Sequence, residues 1–251
     1  MYFSYDQLSF RYEPFPIGLA KPLMQPEIYR ELLESYPPIE RFEYIPKLGK
    51  KYSLSERFNP GGYRDLIRSH PVWREFHGWI KSDAFVAGVL DALREHGIDV
   101  GYKAGTSASQ RALSLLKDIV RQRTTARRAG LRARFEFSML PADGGHILPH
   151  TDAPSKVITL IVSMLNDDEW DAACGGATDV NRVKDASRGF NWLNAQGRFE
   201  DMEVIDSYPF TSNQAVIFVK TFNSWHSVRP MQCEGSPAMR RTLTINIETR
   251  V

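Results

Sequence analysis

The sequence has no run of apolar residues long enough to cross a membrane. No stretch of its 251 residues approaches the roughly 18 apolar residues that a transmembrane helix requires. Residues 1–18 also lack the basic segment followed by an apolar segment that marks a secretory signal. We therefore expect a cytoplasmic protein that does not act at a membrane.

Cysteine is scarce, and neither sign of charge dominates. Cys174 and Cys233 have no CxxC or CxxH spacing that would indicate a zinc site or a redox pair, so we expect free thiols in a reducing compartment. The 32 basic residues nearly balance the 30 acidic ones, and the formal net charge is +2. This balance gives no reason to expect nucleic acid or an anionic membrane as the partner, and we expect a small-molecule substrate.

Apolar spacing predicts helices in the first half and strands in the second. Three- and four-residue spacing predicts a short helix at 26–36 and one or two helices at 72–96, ending at Gly97. Segments 156–165, 215–220 and 242–249 are rich in β-branched residues and predict strands, the first buried on both sides. We expect a single α+β domain, with a mainly helical support region at 1–130 and a β-sandwich or barrel core at 131–251.

A basic stretch precedes the predicted strands. Segment 103–134 carries nine Lys or Arg residues and a single acid, Asp118, with apolar residues at helical spacing. The pattern favours a solvated helical face over a polyanion-binding surface, because basic clusters are weak motifs.

Three residues in the second half form a candidate metal site. His150 and Asp152 precede a predicted strand, and in an extended segment residues i and i+2 project to the same side. His226 follows the strand at 215–220 and supplies a second imidazole. Two histidines and a carboxylate on one face, with open positions, are typical of non-haem iron(II) oxygenases. Catalytic zinc sites instead tend to be tetrahedral, with one open position.

The last predicted strand carries a candidate anion site. By two-residue alternation, one face is polar and the other mostly apolar; the polar face comprises Arg240, Thr242, Thr244 and Asn246. A guanidinium with a hydroxyl two residues later suits a carboxylate, because Arg offers a planar fork of donors. We therefore prefer Arg240 with Thr242 over Arg241 as the anchor of the distal carboxylate of 2-oxoglutarate.

Four segments together resemble a known family. LPADGGHILPHTD at 140–152, CGGATD at 174–179, SWHSVRP at 224–230 and RRTLT at 240–244 are similar to the prolyl 4-hydroxylase-like branch of the 2-oxoglutarate and iron(II)-dependent dioxygenases. The resemblance spans about 131–250. It implies a double-stranded β-helix (jelly-roll, cupin-like) core, with iron(II), 2-oxoglutarate and O₂ as cofactor and co-substrates, and ascorbate as a candidate further cofactor. The products implied are succinate, CO₂ and a hydroxylated substrate.

The resemblance also implies roles for individual residues. His150, Asp152 and His226 match the metal ligands, and Arg240 matches the basic residue of the last core strand. Gly175 and Gly176 match a glycine pair before a core strand. The sequence departs from the family at the strand before His150, where a co-substrate tyrosine is common and Phe135, Phe137 and Met139 stand instead.

Several functions stay open at this stage. A small metabolite or sugar-like substrate is favoured, and peptidyl proline or a free amino acid is the alternative within the same mechanism. A zinc-dependent hydrolase and a non-catalytic 2-oxoglutarate- or sugar-binding module are the alternatives of another class. The polar segment 166–208, with Trp170 and Trp192, is a candidate lid or substrate loop. His146 is expected at the rim of the site or in contact with substrate.

Overall fold

The computed structural model describes residues 2–101 and 130–249. Four helices lie in the first of these ranges: α1 (Pro26–Glu34), α2 (Pro60–Ser69), α3 (Pro71–Ile80) and α4 (Asp83–Glu95). The basic stretch at 103–134 lies almost wholly outside the described residues, so the prediction made for it stays a prediction. No helix in the described ranges is long and apolar enough to span a membrane.

Local sequence signals explain where these helices begin and end. Helix α4 begins after Ser82, whose hydroxyl accepts a hydrogen bond from the backbone N–H of Phe85 at 3.2 Å, and it is followed by Gly97 in the left-handed region. The sequence predicted one or two helices at 72–96, and the structure has two. Helix α2 was not predicted, because it begins Pro-Gly-Gly; the carboxamide of Asn59 caps it by accepting from Gly62.

The strands form two antiparallel sheets. In chain order they are β1 (Ser9–Arg11), β2 (Ile17–Ala20), β3 (Glu43–Ile45), β4 (Lys51–Leu54), β5 (Leu131–Pro141), β6 (Ile147–His150), β7 (Lys156–Ser163), β8 (Thr178–Val183), β9 (Met202–Tyr208), β10 (Ala215–Val219), β11 (His226–Val228) and β12 (Met239–Thr249). The larger sheet has the order β1-β2-β10-β7-β12-β5-β4-β3, and the smaller has the order β6-β11-β8-β9. Strands β5 to β12 contribute four strands to each sheet and form a double-stranded β-helix, which confirms the predicted fold class.

Strands accompany the helices in residues 2–101 of the N-terminal region, where the sequence predicted mainly helix. Strands β1 to β4 extend the larger sheet at both edges. These strands are three or four residues long, and strands so short carry too little two-residue alternation to be recognised in a sequence.

Strand β12 lies at the centre of the larger sheet, between β5 and β7. Its apolar face is fully buried and packs with the helices; this face comprises Leu243, Ile245 and Ile247. The neighbouring strand β7 places Ile158, Leu160 and Val162 in the same core, also fully buried. The alternation predicted for β12 is therefore confirmed, and its polar face turns away from the helical layer.

The two cysteines form a disulfide, so the expectation of free thiols was wrong. Cys174 and Cys233 are 59 residues apart in sequence, and their Cα atoms lie 5.0 Å apart. Sequence spacing cannot reveal such a pairing, because the sheets bring the loop before β8 against the loop before β12. The reducing compartment inferred from free thiols loses its basis.

Removal of this disulfide is expected to destabilise the protein. Closing a 59-residue loop restricts the unfolded chain, and a bond of this kind contributes roughly 2–4 kcal/mol to the free energy of unfolding. We expect the Cys174→Ser/Cys233→Ser variant to unfold at lower denaturant concentration than the oxidised wild type, as measured by circular dichroism. Dithiothreitol should lower the midpoint of the wild type and leave that of the variant unchanged; identical midpoints in all four samples would contradict the prediction.

Candidate metal centre and co-substrate pocket

The three candidate ligands meet where two strands of the smaller sheet pair. Strand β6 ends at His150, β11 begins at His226, and these two residues are direct cross-strand partners. Asp152 follows two residues after β6. One ligand atom from each of the three residues lies within 4.8 Å of the others, and His150 Nε2 lies 3.6 Å from Asp152 Oδ1. The structure thus brings together all three residues that the sequence singled out.

Asp152 reaches this position by a route that the sequence analysis did not anticipate. The extended conformation assumed for residues 150–152 ends at His150, and Asp152 has a φ of +71°. Aspartate tolerates this left-handed conformation better than most residues because its short polar side chain can bond locally. A turn, not strand alternation, therefore aims the carboxylate at the imidazoles.

Both imidazoles are oriented for metal binding through Nε2. His150 Nδ1 lies 2.9 Å from the carbonyl oxygen of Leu148, and His226 Nδ1 lies 2.9 Å from that of Ser224. A carbonyl oxygen can only accept, so each Nδ1 carries the proton and each Nε2 keeps its lone pair. Metal-binding histidines are typically held in this way by a second hydrogen bond. The donor set therefore fits a divalent iron ion.

Burial and neighbouring charges set the ionisation of the group. Burial, followed by the proximity of His150, lowers the pKa of His226 to about 3, so the ring is neutral at physiological pH. Burial alone would raise the pKa of Asp152, but the Lys156 ammonium holds it well below its ordinary value. A neutral imidazole beside a carboxylate is the state that binds a metal cation.

The lowered pKa of His226 predicts how the stability of the metal-free protein depends on pH. The unfolded chain binds a proton at this histidine below about pH 6.5, whereas the folded chain does not until about pH 3. Folding therefore loses stability as the pH falls through this window, by about 1.4 kcal/mol per pH unit. In urea unfolding with EDTA between pH 6 and 4.5, this histidine should add that amount to the slope of stability against pH, and His226→Gln should remove it. Parallel curves for the two proteins would count against the buried neutral state.

Two side chains that the sequence analysis did not single out support the Asp152 carboxylate. The Lys156 ammonium donates to Oδ1 at 2.5 Å, and the Thr159 hydroxyl donates to Oδ2 at 2.8 Å. Thr159 also lies 3.3 Å from the amide oxygen of Asn246, its cross-strand partner on β12. One signal was available: Thr159 is a polar residue inside the apolar run of β7.

The turn that carries His150 and Asp152 is anchored by the residue between them. Thr151 is buried, and its hydroxyl donates to the carbonyl of Asn191 at 2.6 Å. The Lys220 ammonium donates to the same hydroxyl oxygen at 3.1 Å, and the Ser224 hydroxyl donates to the Thr151 carbonyl at 3.1 Å. The turn is thus tied to the loop before β9 and to the turn that positions His226.

A cavity of about 620 Å³ opens beside the three residues. The polar face of β12 forms one wall of this cavity along its whole length, from Arg240 through Thr242, Thr244 and Asn246 to Glu248. His150, Asp152 and His226 line the same cavity. Its volume lies within the range of 300–1,000 Å³ that is common for small-molecule sites.

The two neighbouring arginines of β12 have different environments. Arg240 lines the cavity and is 5% exposed, and burial lowers its pKa to about 10. No described carboxylate forms an ion pair with it, and Asp179, whose charge acts against this lowering, pairs with Arg229 instead. Arg241 points out of the cavity, pairs with Glu169 and lies over the ring of Tyr36. A buried guanidinium that faces a cavity requires an anionic partner, and Arg240 lacks one. Arg241 already has such a partner in Glu169.

The loop before β8 orients the Arg240 guanidinium. Its Nε donates to the carbonyl oxygen of Gly176 at 2.6 Å, and its Nη2 donates to the Thr178 hydroxyl at 3.3 Å. Gly176 has a φ of +84°, and a Cβ there would lie 2.9 Å from the Trp170 ring. Glycine is therefore required at this position. Trp170 is a packing residue of this loop, and its indole N–H donates to Gly175.

The missing co-substrate tyrosine was sought on the face of β5 that points away from the cavity. Phe135, Phe137 and Met139 of β5 are buried in the core that packs with the helices. The cavity is lined instead by the alternate residues Arg134, Glu136, Ser138 and Leu140. Periodicity defines two faces but does not say which one lies toward the cavity, and here that choice was wrong.

The segment proposed as a lid contributes to the cavity in part. It contains β8 and β9, and the loop between them places Asn194 and Gln196 in the cavity wall. Trp192 is 47% exposed and lies under the Lys220 ammonium at 5.5 Å from its ring centre. His146 is not a cavity-lining residue; its Nδ1 lies 3.0 Å from the Gly144 carbonyl oxygen, and its ring contacts Phe199.

Comparison with known proteins agrees with this site. Residues 135–248 match the family described as the 2OG-Fe(II) oxygenase superfamily, and no curated protein matches the chain. A prolyl-4-hydroxylase from Pseudomonas putida is 11% identical, covers 94% of this chain and 93% of its own, and has a TM-score of 0.54. The non-haem α-ketoglutarate-dependent epimerase SnoN from nogalamycin biosynthesis is 14% identical, covers 95% and 80%, and has a TM-score of 0.51. At these identities the two structures show a shared fold.

A double-stranded β-helix that brings two histidines and an aspartate to one cavity is the arrangement of the 2-oxoglutarate oxygenases, and residues 135–248 of this chain match the 2OG-Fe(II) oxygenase superfamily. It is a 2-oxoglutarate-dependent dioxygenase that uses iron(II), 2-oxoglutarate and O₂. The resemblance found in the sequence is therefore confirmed. The zinc hydrolase and the non-catalytic module are set aside.

Proposed function

We propose that the enzyme hydroxylates a small polar molecule, with His150, Asp152 and His226 as the iron ligands. The observation that carries the assignment is the convergence of two Nε2 lone pairs and one carboxylate at the wall of a single cavity. Bound iron(II) would supply open coordination positions for O₂ and the 2-oxo acid group, together with the change of oxidation state that the reaction needs.

Arg240 and Thr242 are proposed as the anchor of the distal carboxylate of 2-oxoglutarate. Both are buried, both line the cavity, and both lie on its β12 wall toward the end opposite Glu248. The guanidinium is held in place by Gly176 and Thr178 and needs an anionic partner. It would hold the co-substrate so that the 2-oxo acid end reaches the three ligands, which lie beside Thr159 and Asn246.

The protein surroundings favour a small substrate over a peptide. The cavity volume of about 620 Å³ must hold both the co-substrate and the group to be oxidised, and many of its lining residues are polar or charged. Peptidyl proline and free amino acids are the alternatives within the same mechanism. Succinate release in the presence of each class of compound separates them, because productive substrates accelerate the decarboxylation.

The experiment that tests the assignment is anaerobic addition of iron(II) and 2-oxoglutarate to the metal-free protein. A weak visible charge-transfer band is expected when the 2-oxo acid chelates iron, and it should be absent in His226→Ala. Absence of the band in the wild type would overturn the ligand assignment.

We further propose that the whole chain forms one catalytic domain, with the helices packed on the larger sheet as its support.

The disulfide bears on the compartment in which the protein is located. The disulfide favours an oxidising compartment, against the cytoplasmic location expected from the sequence. Alkylation of free thiols in the protein taken directly from its cells decides between them, because only a reduced protein is labelled at Cys174 and Cys233.

A further inference from the structure

The cavity has two ends, which differ in charge. Strand β12 runs along its wall from Arg240 to Glu248, and the three candidate ligands lie near Asn246, since Thr159 contacts both Asn246 and Asp152. The stretch from Arg240 to Asn246 is the part assigned above to 2-oxoglutarate. The end near Glu248 is left for the substrate, and the inference below rests on that proposed function.

Cations predominate at the Glu248 end. Lys156 is the cross-strand partner of Glu248 on β7, and Arg134 on β5 donates to the Glu248 carboxylate at 2.8–2.9 Å. Arg57 also lines the cavity. Strand β4 pairs Ser53 with Ser138 and Leu54 with Phe137, so the chain after Leu54 continues along β5 toward Arg134 and carries Arg57 to the same end.

The backbone at Arg57 is held in place, and its exposed side chain has no carboxylate partner among the described residues. The buried Ser55 hydroxyl accepts hydrogen bonds from the backbone N–H groups of Arg57 and Phe58, at 3.2 and 3.0 Å, which fixes the turn. The guanidinium lies over the Phe58 ring, 5.3 Å from its centre, and Phe58 lines the cavity as well. No carboxylate in the described ranges pairs with Arg57.

The surplus of positive charge persists when iron and 2-oxoglutarate are bound. The two charges of iron(II) balance those of the 2-oxoglutarate dianion, and Lys156 balances Asp152. Apart from these groups, the described cavity wall has five cations and two carboxylates: Lys47, Lys51, Arg57, Arg134 and Arg240 against Glu136 and Glu248. Glu136 forms an ion pair with Lys51, and Glu248 forms an ion pair with Arg134. Charge of one sign in a cleft attracts ligands of the opposite sign.

We propose that the substrate carries an anionic group, a carboxylate or a phosphate, which Arg57 binds at the Glu248 end of the cavity with Arg134 and Lys156 nearby. The carbon to be oxidised then lies toward His150, Asp152 and His226. Arg57 is thereby a specificity-determining residue. An arginine fork suits both oxyanions, because it donates two parallel hydrogen bonds to either.

Matched pairs of compounds test this proposal without knowledge of the natural substrate. Protein loaded with Zn(II) in place of iron and saturated with 2-oxoglutarate is titrated calorimetrically in 0.15 M KCl. One pair is glucose 6-phosphate and glucose, and the other is N-acetylproline and N-acetylprolinamide. We expect the anionic member of at least one pair to bind at least about tenfold more tightly than its neutral partner; which pair responds distinguishes phosphate from carboxylate.

Two variants complete the test. Arg57→Gln should reduce the preference for the anion by about tenfold. Arg64→Gln should keep it, because Arg64 of α2 is exposed like Arg57 but does not line the cavity. No preference in either pair, or a preference undiminished in Arg57→Gln, overturns the proposal. The charge-transfer band of the iron-loaded wild type reports separately on the proposed function: a band without anion preference rejects only the present inference, and no band rejects the ligand assignment itself.

Discussion

Replacement of Asp152 by alanine is expected to abolish both iron(II) binding and succinate formation. Asp152 is the only carboxylate of the candidate ligand set within the described residues, and it supplies the negative charge that offsets the metal. Loss of a residue that merely supports a ligand costs 10–100-fold in metal affinity, so loss of the ligand itself should cost more than about 100-fold. Iron content after reconstitution, together with succinate release, measures the effect.

Two further variants make the Asp152 result specific. His146→Ala removes a neighbouring histidine that does not line the cavity, and it should keep iron binding. Asp152→Asn keeps a residue type that tolerates the φ of +71° while removing the charge, so its loss of iron cannot be attributed to backbone strain. Iron retained in Asp152→Ala, or lost equally in His146→Ala, would refute the ligand assignment.

Replacement of Arg240 by alanine is expected to raise the 2-oxoglutarate concentration required for turnover by roughly 100-fold, without loss of iron. Truncating one partner of a buried, hydrogen-bonded charge pair costs about 2–5 kcal/mol, and each 1.4 kcal/mol is a factor of ten in affinity. Arg240 is buried and faces the cavity, and it has no described carboxylate partner that could compensate. Titration of the charge-transfer band with 2-oxoglutarate measures the affinity directly.

Arg241 provides the matched control for Arg240. It is the adjacent residue of the same strand and the same type, but its guanidinium pairs with Glu169 outside the cavity. Arg241→Ala should leave the 2-oxoglutarate requirement within about threefold of wild type, since partly exposed pairs contribute only about 0–1 kcal/mol. If the two variants exchanged their effects, the assignment of the β12 faces would be refuted.

Some features of the site were predictable because they depend on local pattern. Alternation along β12 places Arg240 and Arg241 on opposite faces, because successive side chains of a strand point to opposite faces. The order of His150, Asp152 and His226 around predicted strands indicated the same three ligand positions that the fold brings together. These inferences depend on residue type and spacing, which are the same whatever tertiary contacts the chain makes.

Other features depend on which distant segments come into contact, and the local sequence pattern does not predict those contacts. The register of β5 turns Glu136 and Ser138 to the cavity and Phe135 and Phe137 to the helices. Which face points to the cavity depends on the layer that covers each face. Alternation defines two faces but does not distinguish them. The disulfide between Cys174 and Cys233 depends in the same way on two loops being brought together.

The sequence by itself indicated the class of enzyme, through four segments that resemble a known family. It also indicated the three candidate ligands and the arginine that faces the cavity, because side-chain chemistry and two-residue alternation are local properties. The tertiary structure decided how the ligands converge, through the left-handed turn at Asp152 and the direct pairing of His150 with His226. It also decided the charge of the Glu248 end of the cavity, where Arg57, Arg134 and Lys156 come from three different strands or turns. The physical reason is that an electrostatic site is a sum over neighbours in space, and most of those neighbours are distant in sequence.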